Sequence, residues 1–199
     1  MIFLFGESER EKILDSGAFY CPVCKGTAQY EDVEHKSWFT CFFIPTLPLK
    51  TMAFYRQCNG CSNTFDIDSP TQPEYSQTQL YVCVTLASIL ISELGKMRAE
   101  ALYQKIYQHL FNQPLPVTLE HCEQLSQTHG GSMFDQLESA RTTLNWHGKL
   151  LIIKASYLAI AGVRDLNDQD KVGLNMIGTS MDVDMSVVKQ VIQQTPLFY

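Results

Sequence analysis

The chain has 199 residues, of which 45% are hydrophobic and 18% are charged. This composition excludes wholesale disorder, and the length allows one domain or two small ones. The net charge of −6 argues against non-specific nucleic-acid binding, which depends on clustered Lys and Arg side chains. No nucleic-acid partner is therefore expected.

The first residues carry few structural signals. Met1–Phe5 is apolar and predicts a short strand or an anchor, but it is too short for a secretory signal. The charged segment Glu7–Asp15 is compatible with a helical turn. Since no run reaches about 18 apolar residues, no transmembrane helix is predicted.

Two Cys-x-x-Cys pairs organise the N-terminal part of the chain. Zn²⁺ in structural sites takes about four thiolates at ~2.3 Å, and two such turns facing each other complete that shell. Gly26 and Gly60 can adopt positive φ in these turns at no steric cost. The alternatives are two disulfides or four unrelated thiols. The predicted zinc ligands are Cys21, Cys24, Cys58 and Cys61.

The segment between the two pairs is longer than the usual ~15–20 residues, which predicts a long β-hairpin. Thr27–Phe39 is expected to be the outgoing strand and Thr51–Gln57 the returning strand. The β-rich run from Cys41 should end at Pro45. Phe65–Asp68 alternates and predicts the last strand of the sheet.

The aromatic run Trp38–Leu49 has two interpretations. It packs on the helical part or on a partner strand, or it is an exposed apolar surface that contacts a protein or a membrane. We expect helices to cover one face and a partner to bind the other, because so small a sheet cannot bury both. The candidate partner-binding residues are Trp38, Phe42, Phe43 and Ile44.

These features together resemble a zinc-ribbon family of small bacterial proteins. The resemblance covers residues 1 to about 70 and is carried by Met1–Gly6, Cys21–Cys24, Trp38–Leu49 and Cys58–Cys61. It implies a structural zinc and no particular activity.

A proline-containing linker separates this part from a helical one. After Ser69–Pro73 the apolar period changes from about 2 to about 3.6. The predicted organisation is a zinc ribbon over 1–70, a linker over 71–79 and an all-helical domain over 80–199, an α+β chain. We expect about six or seven helices. Gly95 should end the first, and Trp146–Gly148 should be a break. The predicted caps are Thr118, Ser132, Asn167 and Asp184.

The helical part resembles the tellurite-resistance TerB family, over roughly residues 80–195. The resemblance lies in two helix-turn-helix segments, Leu94–Glu100 and Ile160–Asp170. Leu94 stands where the family has Asp, and Arg164-Asp165 replaces Asp-Gly. We therefore predict no Ca²⁺ or Mg²⁺ site in this part.

The remaining polar residues show no catalytic motif. The chain has no phosphate loop, no H-E-x-x-H and no nucleophile elbow, and its five histidines lack ligand spacing. Cys83 and Cys122 fall inside helical patterns. Cys41 is expected to be a core thiol, with a substitute-ligand role as the alternative. An odd number of cysteines suits a reducing compartment, so a cytoplasmic location is expected.

The sequence thus predicts a non-enzymatic, zinc-binding adaptor that contacts a protein partner or a membrane surface. One alternative is a redox or metal-handling protein that uses the paired thiols, as in a metal stress response. Another is an enzyme without a recognisable motif, which a deep polar pocket in the helical part would support.

Overall fold

A computed structural model describes residues 5–41, 44–68, 75–128 and 133–197. It confirms the α+β class: a four-stranded antiparallel sheet, in the order β1-β2-β3-β4, precedes seven helices in the part of the chain described. The strands are β1 (Phe5–Cys21), β2 (Gly26–Cys41), β3 (Ile44–Cys58) and β4 (Thr64–Phe65).

The first three strands form a long arm. β2 pairs with β1 from Cys21↔Gly26 to Phe5↔Cys41, and with β3 from Tyr30↔Cys58 to Cys41↔Ile44. The hairpin predicted between the two cysteine pairs is therefore confirmed. The chain reverses between Cys41 and Ile44, and Phe42 and Phe43 lie outside the described residues.

The predicted helical turn over Glu7–Asp15 is wrong, because this segment belongs to β1. Strand β1 is an edge of the sheet, and charged side chains on an edge oppose pairing with another chain. Its pairing with β2 shifts register between Ile13 and Asp15. Hydrogen bonding to β2 therefore decides that this segment is a strand, although its charged residues had suggested a helical turn.

The prolines of the returning strand lie inside β3 and do not break it. Pro45 is in register with Thr40, and Pro48 with Trp38. Proline cannot donate to a β-ladder, so it fits where one edge of a strand needs no partner. Such an edge exists because β4, shorter than predicted, pairs only with Arg56 and Gln57 of β3.

The helices closely follow the predicted pattern. Asn167 and Asp170 form a capping box, Asp184 accepts from the Ser186 amide, and Thr118 accepts from the His121 amide. The predicted break at Trp146–Gly148 is wrong, since these residues form a first helical turn. The helices are α1 (Gln77–Leu94), α2 (Lys96–Phe111), α3 (Leu119–Thr128), α4 (Met133–Thr143), α5 (Trp146–Ala161), α6 (Asp168–Ser180) and α7 (Met185–Gln194).

Helices α1 and α5 lie at the centre of the helical part. Helix α1 packs against α2, α3, α4, α5 and β4, and Gly95, at φ 74°, ends it as predicted. The sequence contains no run of 18 apolar residues, but by length and composition α1 is long and apolar enough to cross a membrane, with 18 residues and a mean hydropathy of 1.2. Half of this stretch is buried inside the protein, as in a core helix.

Two helix caps also bind the sheet. Ser76 caps α1, and its Oγ donates to Asn63 Oδ1 at 3.1 Å. Asn145 caps α5, and its Nδ2 donates to the Ser62 carbonyl at 2.8 Å and to Gln57 Oε1 at 2.7 Å. The segment that follows the second cysteine pair is thereby held against the starts of both central helices.

Candidate metal centre

The four predicted ligands lie together at one end of the sheet. Their sulfur atoms are all within 4.8 Å of one another. Cys21 and Cys61 are 3.7 Å apart, and Cys24 and Cys58 are 3.8 Å apart. A tetrahedron with ligands ~2.3 Å from its centre has edges of about 3.8 Å. The arrangement therefore fits a tetrahedral metal ion such as zinc, and these separations rule out disulfides, whose S–S distance is about 2.05 Å.

Matching turns present the two cysteine pairs. In each, the residue after the second cysteine is left-handed: Lys25 has φ 55° and Ser62 has φ 56°. The expectation of positive φ at Gly26 and Gly60 is thus wrong. Gly60 has a different role, because a Cβ there would lie 3.1 Å from Cys24 Sγ.

Backbone hydrogen bonds hold both turns. The Cys24 amide donates to Cys21 Sγ at 3.4 Å. In the second turn, the Cys58 amide donates to the Asn63 carbonyl at 3.0 Å, and the Ser62 amide donates to the Cys58 carbonyl at 2.9 Å. Such contacts fix the orientation of the ligands and steady a bound thiolate.

Aromatic rings support the site from inside the sheet. Phe19 meets Phe65 edge to face at 5.0 Å and Tyr30 at 5.8 Å, and these residues pack with the buried Cys21 and Cys58. Packing of this apolar cluster against Cys21 and Cys58 fixes the cysteine-bearing strand ends relative to each other in the folded sheet.

An ion pair across β2 and β3 covers the same ring cluster. Arg56 Nε and Nη2 donate to the two Asp32 oxygens at 2.7 and 2.9 Å, and this pairing raises the pKa of Arg56. The guanidinium also lies 3.9 Å from the centre of the Tyr30 ring. Because both partners are largely buried, this pair fixes the register next to the site.

The thiols differ in acidity and exposure. A hydrogen bond from the Cys61 thiol lowers the pKa of Cys21 to about 5, whereas burial raises the pKa of Cys24 to about 11. Thiolates this close repel one another, so a divalent cation is needed to hold four of them together. Cys21 and Cys58 are buried, but Cys24 is exposed.

Cys41 is not a substitute ligand. It ends β2, whereas the metal centre adjoins the other end at Gly26. A strand of this length places the two ends roughly 50 Å apart. Cys83 and Cys122 lie in α1 and α3, in agreement with the helical patterns of the sequence, and both are buried in the helical core.

Two of the candidate partner-binding residues, Trp38 and Ile44, lie at the far end of the arm. Trp38 is half-buried in β2, in register with Pro48, and Ile44 is 65% exposed at the start of β3. Phe42 and Phe43 lie outside the described residues. The arm thus separates these residues from the metal centre by most of its length.

A polar cleft of about 370 Å³ lies between the arm and the helices. Two pairs of side chains meet there: His35 Nε2 lies 3.3 Å from Glu9 Oε2, and Arg141 Nε lies 3.6 Å from Asp182 Oδ2. Burial lowers the pKa of Lys149 at its wall. Sequence reasoning missed this cleft because its lining comes from strands and helices far apart in the chain.

The comparison with known proteins agrees with the site. A zinc-ribbon family model matches residues 19–129, more than half of the chain, from the end of β1 through α3. The chain therefore belongs to this zinc-ribbon family. Searches of curated proteins and of solved structures found no match.

Proposed function

We propose that the four cysteines bind one structural zinc ion per chain. The observation that carries this is the set of four sulfurs within 4.8 Å of one another, with two of the pairs at 3.7 and 3.8 Å. Four protein ligands fill the shell of zinc and leave no open position for a substrate, which is the pattern of structural and not of catalytic sites.

Elemental analysis of the purified full-length protein tests this assignment. We expect about one zinc per chain, lost in Cys58→Ser and retained in Cys83→Ser, which removes a buried thiol of the helical core. Zinc retained in Cys58→Ser, or absent from the wild type, contradicts the proposal.

We further propose that the protein is a non-enzymatic, cytoplasmic adaptor whose arm contacts a partner. Zinc would brace one end of the arm, and the opposite end carries exposed apolar side chains, with Ile44 65% and Leu47 62% exposed. A reducing compartment suits a site built from thiolates.

Photocrosslinking tests the contact role. A photoreactive residue at position 47 should give covalent adducts in cells, and one at Lys189, an exposed position of α7, should not. Adducts that Ile44→Ser abolishes support the proposal. No adduct at position 47, or equal adducts at both positions, contradicts it.

Exposure of Cys24 favours a second candidate, a redox or metal-handling role, because a competing thiol or an oxidant can reach this ligand. In that case the native protein should pass zinc quickly to an acceptor of modest affinity. If the protein instead retains its zinc for hours and loses it only on unfolding, the metal-handling role is wrong and the structural role stands.

We also infer that the helical part is TerB-like. Arg164 reaches Glu93 at the end of α1 and Asp170 at the start of α6, so the two segments that resemble the family lie side by side. An experimental structure of the full chain that superposes poorly on TerB domains would contradict this inference.

A further inference from the structure

The polar cleft between the arm and the helices has two walls of opposite charge character. Glu9, Glu11 and Tyr55 line it on the arm side. The two glutamates are two residues apart in β1, so their side chains leave the same face of the strand. Arg141 of α4 and Lys149 of α5 line it on the helical side. A molecule in this cleft therefore meets carboxylates on one side and cations on the other.

The two pairs of side chains described above account for four of the polar groups in this lining. Glu11 and Lys149 remain. Within the part of the chain that the structure describes, neither of them lies within ion-pair distance of an opposite charge, and they are too far apart to pair with each other. The cleft thus holds one carboxylate and one ammonium group without charged partners.

Lys149 is informative because its side chain is half-buried. Burial is the main cause that lowers its pKa, and Asp182 and Glu9 act on it only from beyond ion-pair distance. Removing water from an ammonium group is costly unless an anion takes the place of the water. The start of α5, which Asn145 caps beside the cleft, adds positive potential at the same place. A bound carboxylate would supply the missing partner.

Glu11 is positioned by a buried hydroxyl group. Tyr55 is 2% exposed, and its OH donates to Glu11 Oε1 at 3.4 Å. This neutral hydrogen bond orients the carboxylate but does not balance its charge. The side chain of Glu11 is exposed, so a ligand can reach it from the cleft. An ammonium group is the complementary ligand group for this position.

Apolar and aromatic side chains complete the lining. Met52 and Ala53 are consecutive in β3, yet both line the cleft. A register shift in the β2–β3 ladder leaves Met52 without a paired residue, and such a bulge lets consecutive side chains contribute to one cavity. Trp146, 52% exposed at the start of α5, offers a ring face to hydrocarbon or to an ammonium group. The cleft can therefore hold an apolar group as well as two charges.

We propose that this cleft binds a small zwitterion, whose carboxylate pairs with Lys149 and whose ammonium group pairs with Glu11. The proposal goes beyond the contact role of the arm and does not depend on it. A phosphate or another polyanion is disfavoured because Glu9, Glu11 and Asp182 would repel it. A simple cation would leave Lys149 unpaired and would be repelled by Arg141. A zwitterion provides a partner for both of the unpaired groups.

Titration of the full-length protein with two zwitterions of different charge separation, leucine and ε-aminocaproate, tests the proposal. In a Trp38→Phe background Trp146 is the single tryptophan, since the sequence has 2. At least one of the two compounds should change the emission of Trp146 and give a saturable heat in calorimetry, with a Kd of about 1 mM or below.

Singly charged analogues test the need for both charges. Isocaproate and isoamylamine each lack one charge of leucine, and caproate and hexylamine each lack one charge of ε-aminocaproate. Each should bind about tenfold more weakly than the parent zwitterion, because one ion pair is missing.

Matched variants locate the site. Lys149→Gln and Glu11→Gln should each weaken binding of the zwitterion about tenfold. Lys189→Gln on α7 and Glu120→Gln on α3, both at exposed positions, should leave the affinity unchanged. Lys149→Arg keeps the positive charge, so it should bind more tightly than Lys149→Gln.

Three results would overturn the inference. The first is that neither zwitterion binds. The second is that the singly charged analogues bind as well as their parent compounds. The third is that the cleft variants and the control variants bind equally well.

Discussion

At the scale of single residues, the two cysteine turns are alike in backbone but differ in free space. Both place a non-glycine residue in the left-handed region directly after the second cysteine, at Lys25 and Ser62. Gly26 has open space around it, whereas Gly60 lies against the sulfur of Cys24. The second turn is therefore the more sterically restricted of the two.

We predict that Gly60→Ala weakens zinc binding while Gly26→Ala does not. The new methyl group at position 60 would stand 3.1 Å from Cys24 Sγ, and nothing lies within 4 Å of the corresponding point at Gly26. Displacing one ligand of a tetrahedral site by a few tenths of an ångström should cost about tenfold or more in affinity. Competition with a chromogenic chelator measures it, and equal affinities for the two variants would contradict the steric explanation.

A second prediction concerns Asp170, whose pKa the Arg164 guanidinium holds below the ordinary value. A carboxyl whose pKa is lower in the folded state stabilises the fold above its unfolded pKa of about 3.9. That stabilising contribution is lost as the pH falls through the pKa that the carboxyl has in the folded state. Arg164→Gln should therefore raise the pKa of Asp170. The variant should have a lower free energy of unfolding than the wild type at neutral pH, and this difference should become smaller in acid.

NMR titration of the Asp170 side chain measures this shift. Lys171→Gln is the control, because Lys171 pairs with Asp168 at 2.8 Å and not with Asp170. A pKa of Asp170 that responds equally to both substitutions would argue against the Arg164 pair as its cause.

At the scale of elements, helix starts hold the sheet in place. Capping uses one oxygen of the side chain, so an asparagine keeps its amide nitrogen for a second partner. Asn145 uses it on Ser62 and Gln57, next to the metal centre. The position of α5 is thereby coupled to the turn that carries Cys58 and Cys61.

We predict that Asn145→Ala destabilises the protein more than Asn167→Ala, although both remove an asparagine cap. Loss of a cap costs about 1 kcal/mol, and the unpaired Ser62 carbonyl adds about 1–3 kcal/mol. Asn145→Asp retains the capping oxygen but loses the donor, so its cost should lie between the two. Urea unfolding measures all three, and equal costs for the two alanine variants would mean that the bonds to the sheet contribute nothing.

At the scale of the whole molecule, the apolar interior is divided. The helices enclose one large cluster that includes Leu86, Tyr103 and Ile152. The sheet holds two small ones, around Phe19 beside the cysteines and around Val33 in the arm. Clusters this small cannot offset the chain entropy of a long three-stranded sheet, so metal binding must contribute to its stability.

We predict that Cys21→Ser abolishes zinc binding and unfolds the sheet near the site while the helical part stays folded. Far-UV circular dichroism should retain its helical signal, and amide resonances of β1–β3 should collapse towards random-coil positions. Chelation of the wild type should give the same species. Loss of the helical signal in Cys21→Ser would show instead that sheet and helices unfold as one unit.

Local chemistry in the sequence was sufficient to predict much of this protein. Paired Cys-x-x-Cys turns specify a tetrahedral ligand set because four thiolates can share one divalent ion. Helix starts at Asn167 and Asp184 were predictable because capping needs a side-chain oxygen within three residues of the first turn. The hairpin followed from the distance between the cysteine pairs and the alternation of its strands.

What the sequence could not determine depends on contacts between distant segments. The charged segment Glu7–Asp15 is a strand because β2 pairs with it, and Trp146 starts a helix that Asn145 caps and anchors to the sheet. Cys41 is separated from the four ligands because it lies at the end of β2 opposite Gly26, which adjoins the first cysteine pair. The pairing of Asp32 with Arg56 follows from strand register, since only pairing across strands brings residues far apart in sequence to one height on a sheet.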